Sequence, residues 1–126
     1  MKKEVIVTEK APKAIGPYSQ GQRVGNLIYT SGQIPLNPET GVLCTEIKEA
    51  TKQSIENVKA ILEAGGSSLD SVVKTCVYIK SMDDFALVNE VYAEYFKNNP
   101  PARSCVQVAK LPMDALVEIE AIGIIE

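Results

Sequence analysis

The chain contains no histidine and no tryptophan among its 126 residues. The missing histidine removes at once the Ser-His-Asp triad, the Cys-His dyad and every imidazole metal site. Proton chemistry is left to carboxylates, Lys, Tyr, Cys, the backbone and water. Cysteine is scarce and odd in number: Cys44, Cys76 and Cys105 stand far apart with no C-x-x-C pair. That disfavours a disulfide framework and a thiolate zinc site, and it points to the cytosol. Long apolar runs are missing too. Met1-Lys2-Lys3 begins like a signal peptide, but Glu4 follows and no apolar stretch of about 7–15 residues comes after it. Basic runs stop at Lys2-Lys3 and the formal net charge is −3, so nucleic acid and membrane surfaces are not expected partners.

What is present is ordinary for one globular domain spanning 1–126: 45% hydrophobic and 23% charged residues. Glu4–Thr8 reads as a first strand. Residues 11–18, with two prolines and a glycine, read as a positioned loop. Ser19–Val24 and Leu27–Gln33 form a hairpin turned at Gly25-Asn26. Glu46–Ala64 is a helix, since Ile47, Ala50, Ile55, Val58, Ile61 and Leu62 recur at a spacing near 3.6, and Gly65-Gly66 stops it. Val72–Lys80 is a strand with Val73, Thr75, Val77 and Ile79 on one face. Ser81 caps a second helix, whose buried stripe is Phe85, Val88, Tyr92, Tyr95 and Phe96. Asn98-Asn99-Pro100-Pro101 ends it. Ala102–Val108 and Leu116–Ile125 are the last strands. The order βββαβαββ predicts an α+β fold, one mixed sheet with both helices on a single face. Ile122 and Ile124 then point to the uncovered face, which predicts self-association.

Alternation places the polar groups on strand faces. Arg103 shares a face with Cys105 and Gln107; it can offer a planar two-pronged donor to a carboxylate, or form a surface salt bridge. Glu118 and Glu120 share a face of an otherwise apolar strand, as a tuned base or as its solvated side. Cys105 has only Arg103 beside it, and a buried free thiol is the commoner state. Tyr18, after the Gly16-Pro17 corner, can cover a small ligand or plug a core edge. Ser31-Gly32 offers a hydroxyl and an approachable backbone, or marks a β-bulge. Asn89 is either an exposed helix position or a polar group aimed at a pocket.

The segments Ile15-Gly-Pro-Tyr-Ser-Gln-Gly21, Thr30-Ser-Gly-Gln-Ile-Pro35, Pro101-Ala-Arg-Ser-Cys-Val106 and Val117-Glu-Ile-Glu-Ala121 resemble the reactive intermediate deaminase (RidA/YjgF) family. Gln53–Lys59 and Lys74–Ile79 fit it as well, in the same order along the chain. The resemblance implies a chorismate-mutase-like homotrimer with three sites between subunits. It implies hydrolysis of 2-imino acids, released as enamines by pyridoxal-phosphate-dependent dehydratases, to 2-keto acids and ammonia, with no cofactor and no metal. Carried onto this chain, Arg103 binds the substrate carboxylate and Glu118 orients water. Cys105 lines the site, and Tyr18, Ser31, Gly32 and Asn89 match pocket positions. Two other readings accompany it: a ligand-binding regulatory trimer without turnover, and a ribonuclease or translation inhibitor.

Overall fold

The computed structural model of the protein describes all 126 residues. Six strands and two helices follow in the order β1 (Lys3–Ile6), β2 (Gly21–Val24), β3 (Leu27–Thr30), α1 (Ile47–Ala64), β4 (Val72–Ile79), α2 (Phe85–Tyr95), β5 (Ala102–Gln107) and β6 (Val117–Ile124). They make one sheet with strand order β1-β2-β3-β6-β4-β5, in which only β4 and β5 run parallel. The α+β expectation and the βββαβαββ order are met.

Both helices cover the same face. The apolar stripe of α1 is buried with Ile28 of β3 and Val117, Ile119 and Ala121 of β6, while Val88, Val91 and Tyr92 of α2 extend the same core toward Val77 and Ile79 of β4. The carboxylate of Glu46 caps α1 by accepting from the Glu49 N–H at 2.8 Å. At the other end the two glycines have different reasons. Gly66 takes the left-handed conformation, φ +94°. Gly65 is right-handed, and a Cβ there would meet the Ile6 and Ile28 side chains at 2.6 and 2.7 Å.

Three expectations shift in detail. Val73 does not join Thr75, Val77 and Ile79; a bulge between Val72 and Lys74 inverts the alternation, burying Val72 and leaving Val73 45% exposed. Ser81 caps a single 3-10 turn, Met82–Asp84, accepting from the Asp83 N–H at 3.1 Å, and α2 continues from it. β1 ends before Thr8 because a side chain takes over the pairing. The buried Gln20 amide accepts from the Thr8 N–H at 2.8 Å and donates to the Thr8 and Pro12 carbonyls at 3.0 and 2.8 Å. Gln20 thereby fastens the irregular 8–18 loop to the sheet, and Tyr18 with it.

The face away from the helices carries Tyr29, Cys76, Tyr78, Val106, Glu118, Glu120, Ile122 and Ile124, all partly or well exposed. It is a mixed surface of apolar and acidic groups, with no helix of the same chain laid over it.

Candidate active site

Arg103 stands on β5 beside Thr75 of β4, on the helix side of the sheet. There α2 presents three successive turns to it. The guanidinium carbon lies 4.7 Å from the Tyr92 ring centroid and 5.6 Å from that of Phe85, and its Nη1 donates to the Asn89 side-chain oxygen at 2.7 Å. The spacing 85, 89, 92 is i, i+4, i+7, so one helix face supplies all three. No carboxylate of the chain neutralises the charge; the ion pairs are Lys48–Glu90 and Lys80–Asp114, both elsewhere. A part-buried, aromatically flanked and unneutralised guanidinium is a seat for an anion, best filled by a planar carboxylate. It borders an open groove of about 370 Å³ between α2 and Pro100-Pro101.

Cys105 follows two residues along the same face, and burial pushes its thiol up, only partly opposed by the Arg103 charge. A thiol held protonated in this way is a poor nucleophile. Gln107 leaves the group: its side-chain oxygen accepts from the Met82 N–H at 2.8 Å.

Glu118 lies on the other side of the sheet. It is aligned with Tyr78 on β4, whereas Arg103 is aligned with Thr75, whose partner on β6 is Ala121. The two residues are therefore two strand spacings apart, about 10 Å, and three residues apart along the strand direction, again about 10 Å. They also point in opposite directions. Within one chain they share no cavity.

Glu118 has its own company. The end of β3 peels away from β6: the Thr30 hydroxyl, in place of a backbone carbonyl, accepts from the Ala121 N–H at 3.0 Å, and pairing resumes only at Gln33 and Ile119. The loop so formed lays Gly32 directly on the Glu118 carboxylate. A Cβ at this glycine would collide with Oε2 of Glu118 and would stand 2.8 Å from its Cδ. Ser31 sits next to it, tied through its N–H to the Gln20 carbonyl at 2.8 Å and accepting from the Gln33 amide at 3.0 Å. Tyr18, half exposed, lines with Gly32 a cleft of about 120 Å³ that also includes Ile15, Met113 and Glu118. Burial, and next the Glu120 charge, push the Glu118 carboxyl up from the usual glutamate range. Across the strand the Tyr78 hydroxyl donates to Glu120 at 3.2 Å, and burial followed by the Glu120 charge raises the phenol to about 12.

The seven expected residues thus fall into two groups. Arg103, Asn89 and Cys105 lie on the helix side, and Glu118, Gly32, Ser31 and Tyr18 at the open side. The expectations missed Tyr92 and Phe85 as neighbours of the guanidinium. Their helical spacing read as a buried stripe, and that signal does not distinguish a residue facing aliphatic neighbours from one facing an arginine. A second groove, about 390 Å³ beside α1 and lined by Lys10, Glu39, Glu56, Asn57 and Glu63 among others, holds none of the seven residues.

Against known proteins, the family model described as Endoribonuclease L-PSP matches residues 8–125. A RutC family protein of Pyrococcus abyssi is 60% identical over 124 residues, covering 98% of each chain. The 2-iminobutanoate/2-iminopropanoate deaminase of Escherichia coli K12 is 51% identical over 124 residues, covering 96% of this chain and 97% of that one. The crystal structure of E. coli TdcF with bound serine superposes with a TM-score of 0.94 at 46% identity, covering 98% and 99%. The match runs through both halves of the site, from Tyr18 to Glu118, and on that basis the chain belongs to the RidA/YjgF family.

Proposed function

We propose that this protein is a hydrolytic deaminase that converts 2-imino acids to 2-keto acids and ammonia, at sites shared between neighbouring copies of a homotrimer. The observation that carries the reading is the unneutralised Arg103 guanidinium, fixed against Tyr92 and Asn89 and ready for a carboxylate. Identity to a deaminase at about half of all positions supports the reaction class.

The chemistry asks for little. A 2-imino acid is protonated near neutral pH, so its carbon is already electrophilic. Arg103 pins the carboxylate by two parallel hydrogen bonds, with Asn89 keeping the guanidinium in place. Water adds to the imine carbon while the C=N electron pair moves to nitrogen, and Glu118 takes the proton that the water loses. Glu118 returns that proton to nitrogen. The C–N bond then breaks as the hydroxyl oxygen forms the C=O, and the released ammonia carries away the hydroxyl proton. A carboxylate with a raised pKa suits both halves of this exchange. Tyr18, Ser31, Gly32 and the Cys105 region form the walls.

Because Arg103 and Glu118 face away from each other in one chain, both can reach one substrate only if the second copy brings its own half. The uncovered sheet face, with Ile122, Ile124 and Tyr29, is the natural contact for such copies, and three of them close a ring. No helix is long and apolar enough to cross a membrane, and we place the enzyme in the cytosol. An RNA-cleaving role would require a basic groove with stacking aromatics, to which a net charge of −3 is unsuited.

The test is direct. A pyridoxal-phosphate-dependent threonine dehydratase generates 2-iminobutanoate in situ, and release of 2-ketobutyrate is followed with and without the protein. Release faster than spontaneous hydrolysis is expected; an unchanged rate overturns the proposal.

A further inference from the structure

We propose that Tyr92 is a positioning residue of the site: its ring sets the plane and reach of the Arg103 guanidinium, and through it the binding of the substrate carboxylate. The inference rests on the reading of Arg103 as the carboxylate clamp.

Arginine on a strand facing an open groove has several rotamers, and a bidentate contact needs one of them. Three observations show what selects it. The Tyr92 ring is itself anchored: it is 7% exposed, its hydroxyl shares a 2.8 Å hydrogen bond with that of Thr75, and it packs on Phe96 with centroids 4.5 Å apart. Thr75 is 1% exposed and is the residue of β4 directly beside Arg103, so the sheet ties the ring to the strand pair that carries the arginine. The guanidinium lies 4.7 Å from this fixed ring, with Phe85 farther off at 5.6 Å. Asn89 then takes Nη1 at 2.7 Å, which settles the rotation of the plane. Ring and amide together leave the remaining N–H groups free for a ligand.

A tyrosine that served only the core would also need a partner for its buried hydroxyl, but it would hold no charge over its ring. Tyr92 holds the Arg103 guanidinium there, so its replacement should act on substrate binding beyond any effect on stability.

The experiment compares Tyr92→Leu, Tyr92→Phe and Arg103→Lys in the coupled deaminase assay, with circular dichroism melts run in parallel. Tyr92→Leu keeps the position apolar, at a smaller volume, and removes the π face; KM is expected to rise roughly tenfold while kcat stays within about threefold. Tyr92→Phe, which keeps the face, is expected to restore most of the loss. Inhibition by 2-ketobutyrate should weaken in step with KM, whereas inhibition by its uncharged amide should not change. Should the leucine variant fail to fold, phenylalanines of increasing fluorination at position 92 keep shape and burial while draining the ring, and KM should climb with each fluorine. A flat KM across that series, or an unchanged KM in a folded Tyr92→Leu, overturns the role of Tyr92 so long as Arg103→Lys still raises KM. If Arg103→Lys leaves KM unchanged, the clamp itself is wrong and the proposal goes with it.

Discussion

Gly32→Ala is the sharpest perturbation the structure offers. Gly32 is not among the glycines with positive φ, which are Gly25, Gly41 and Gly66, so an alanine there meets no backbone strain. The whole effect is steric and falls on one group. The new methyl would collide with Oε2 of Glu118 and stand 2.8 Å from Cδ and 3.1 Å from Cγ. Carbon atoms at rest sit about 3.5–4.0 Å apart, so the carboxyl must retreat by roughly 0.7–1.2 Å. Glu118 is part-exposed and can turn about its own bonds, which keeps the cost to stability to about 1 kcal/mol or less. Activity responds differently, because a displacement of about 1 Å in a reacting group can lower turnover by around 10²-fold. The expected outcome in the 2-iminobutanoate assay is therefore kcat down roughly 100-fold, KM within a few-fold because Arg103 is untouched, and a melting temperature within a few degrees of the parent. A variant that keeps kcat within threefold would refute the assignment of Glu118, and so would a crystal structure of an active variant with the carboxylate displaced.

Three further outcomes are expected. Glu118 must be ionised to accept a proton, and its pKa is raised first by burial and then by Glu120, so activity should fall as pH drops through a value above the usual ~4.3. Glu120→Gln removes the second cause and should move that acidic limb of kcat/KM to lower pH; a limb that stays or moves upward contradicts the account. Asn57, 1% exposed, donates to the Ile34 and Leu36 carbonyls at 3.2 and 2.9 Å, and Asn57→Ala should cost about 2–4 kcal/mol in chemical denaturation by stranding both and loosening the segment that carries Gly32. Chains carrying Arg103→Ala and chains carrying Glu118→Ala should each be inactive, yet refolding them together in equal amounts should restore about a quarter of the sites, whereas a site within one chain would stay dead.

Much of this was legible in the sequence because local signals agreed with one another. The α1 stripe, the Gly65-Gly66 stop and the hairpin at Gly25-Asn26 each rest on residues close together in the chain, and they stand as expected. What failed was decided at a distance. Val73 is turned outward by a bulge that depends on how β4 pairs with β6, and nothing within Val72–Lys80 announces it. β3 ends early because the Thr30 hydroxyl replaces a backbone group opposite Ala121, ninety-one residues away. The site shows the same division. Alternation put Arg103 with Cys105 and Glu118 with Glu120, each correctly within its own strand. Whether the two pairs face the same way depends on the parallel β4–β5 and antiparallel β4–β6 registers, which period-two counting within a strand does not contain. Family resemblance supplied the residues, and the sheet supplied their separation.

If the site is shared between copies as proposed, that separation gives the protein an unusual dependence on its own abundance. A chain that carries both halves of its chemistry on opposite sides of a six-stranded sheet has the full parts list and no working centre. With the proposed shared site, each copy would stand to its neighbour as a cofactor stands to an apoenzyme, lending the group the other lacks. Rate per chain would then become a binding isotherm in protein concentration. Diluting the protein below the dissociation constant of that assembly, or weakening the contact face by a single charge, would silence turnover with Arg103 and Glu118 both still present.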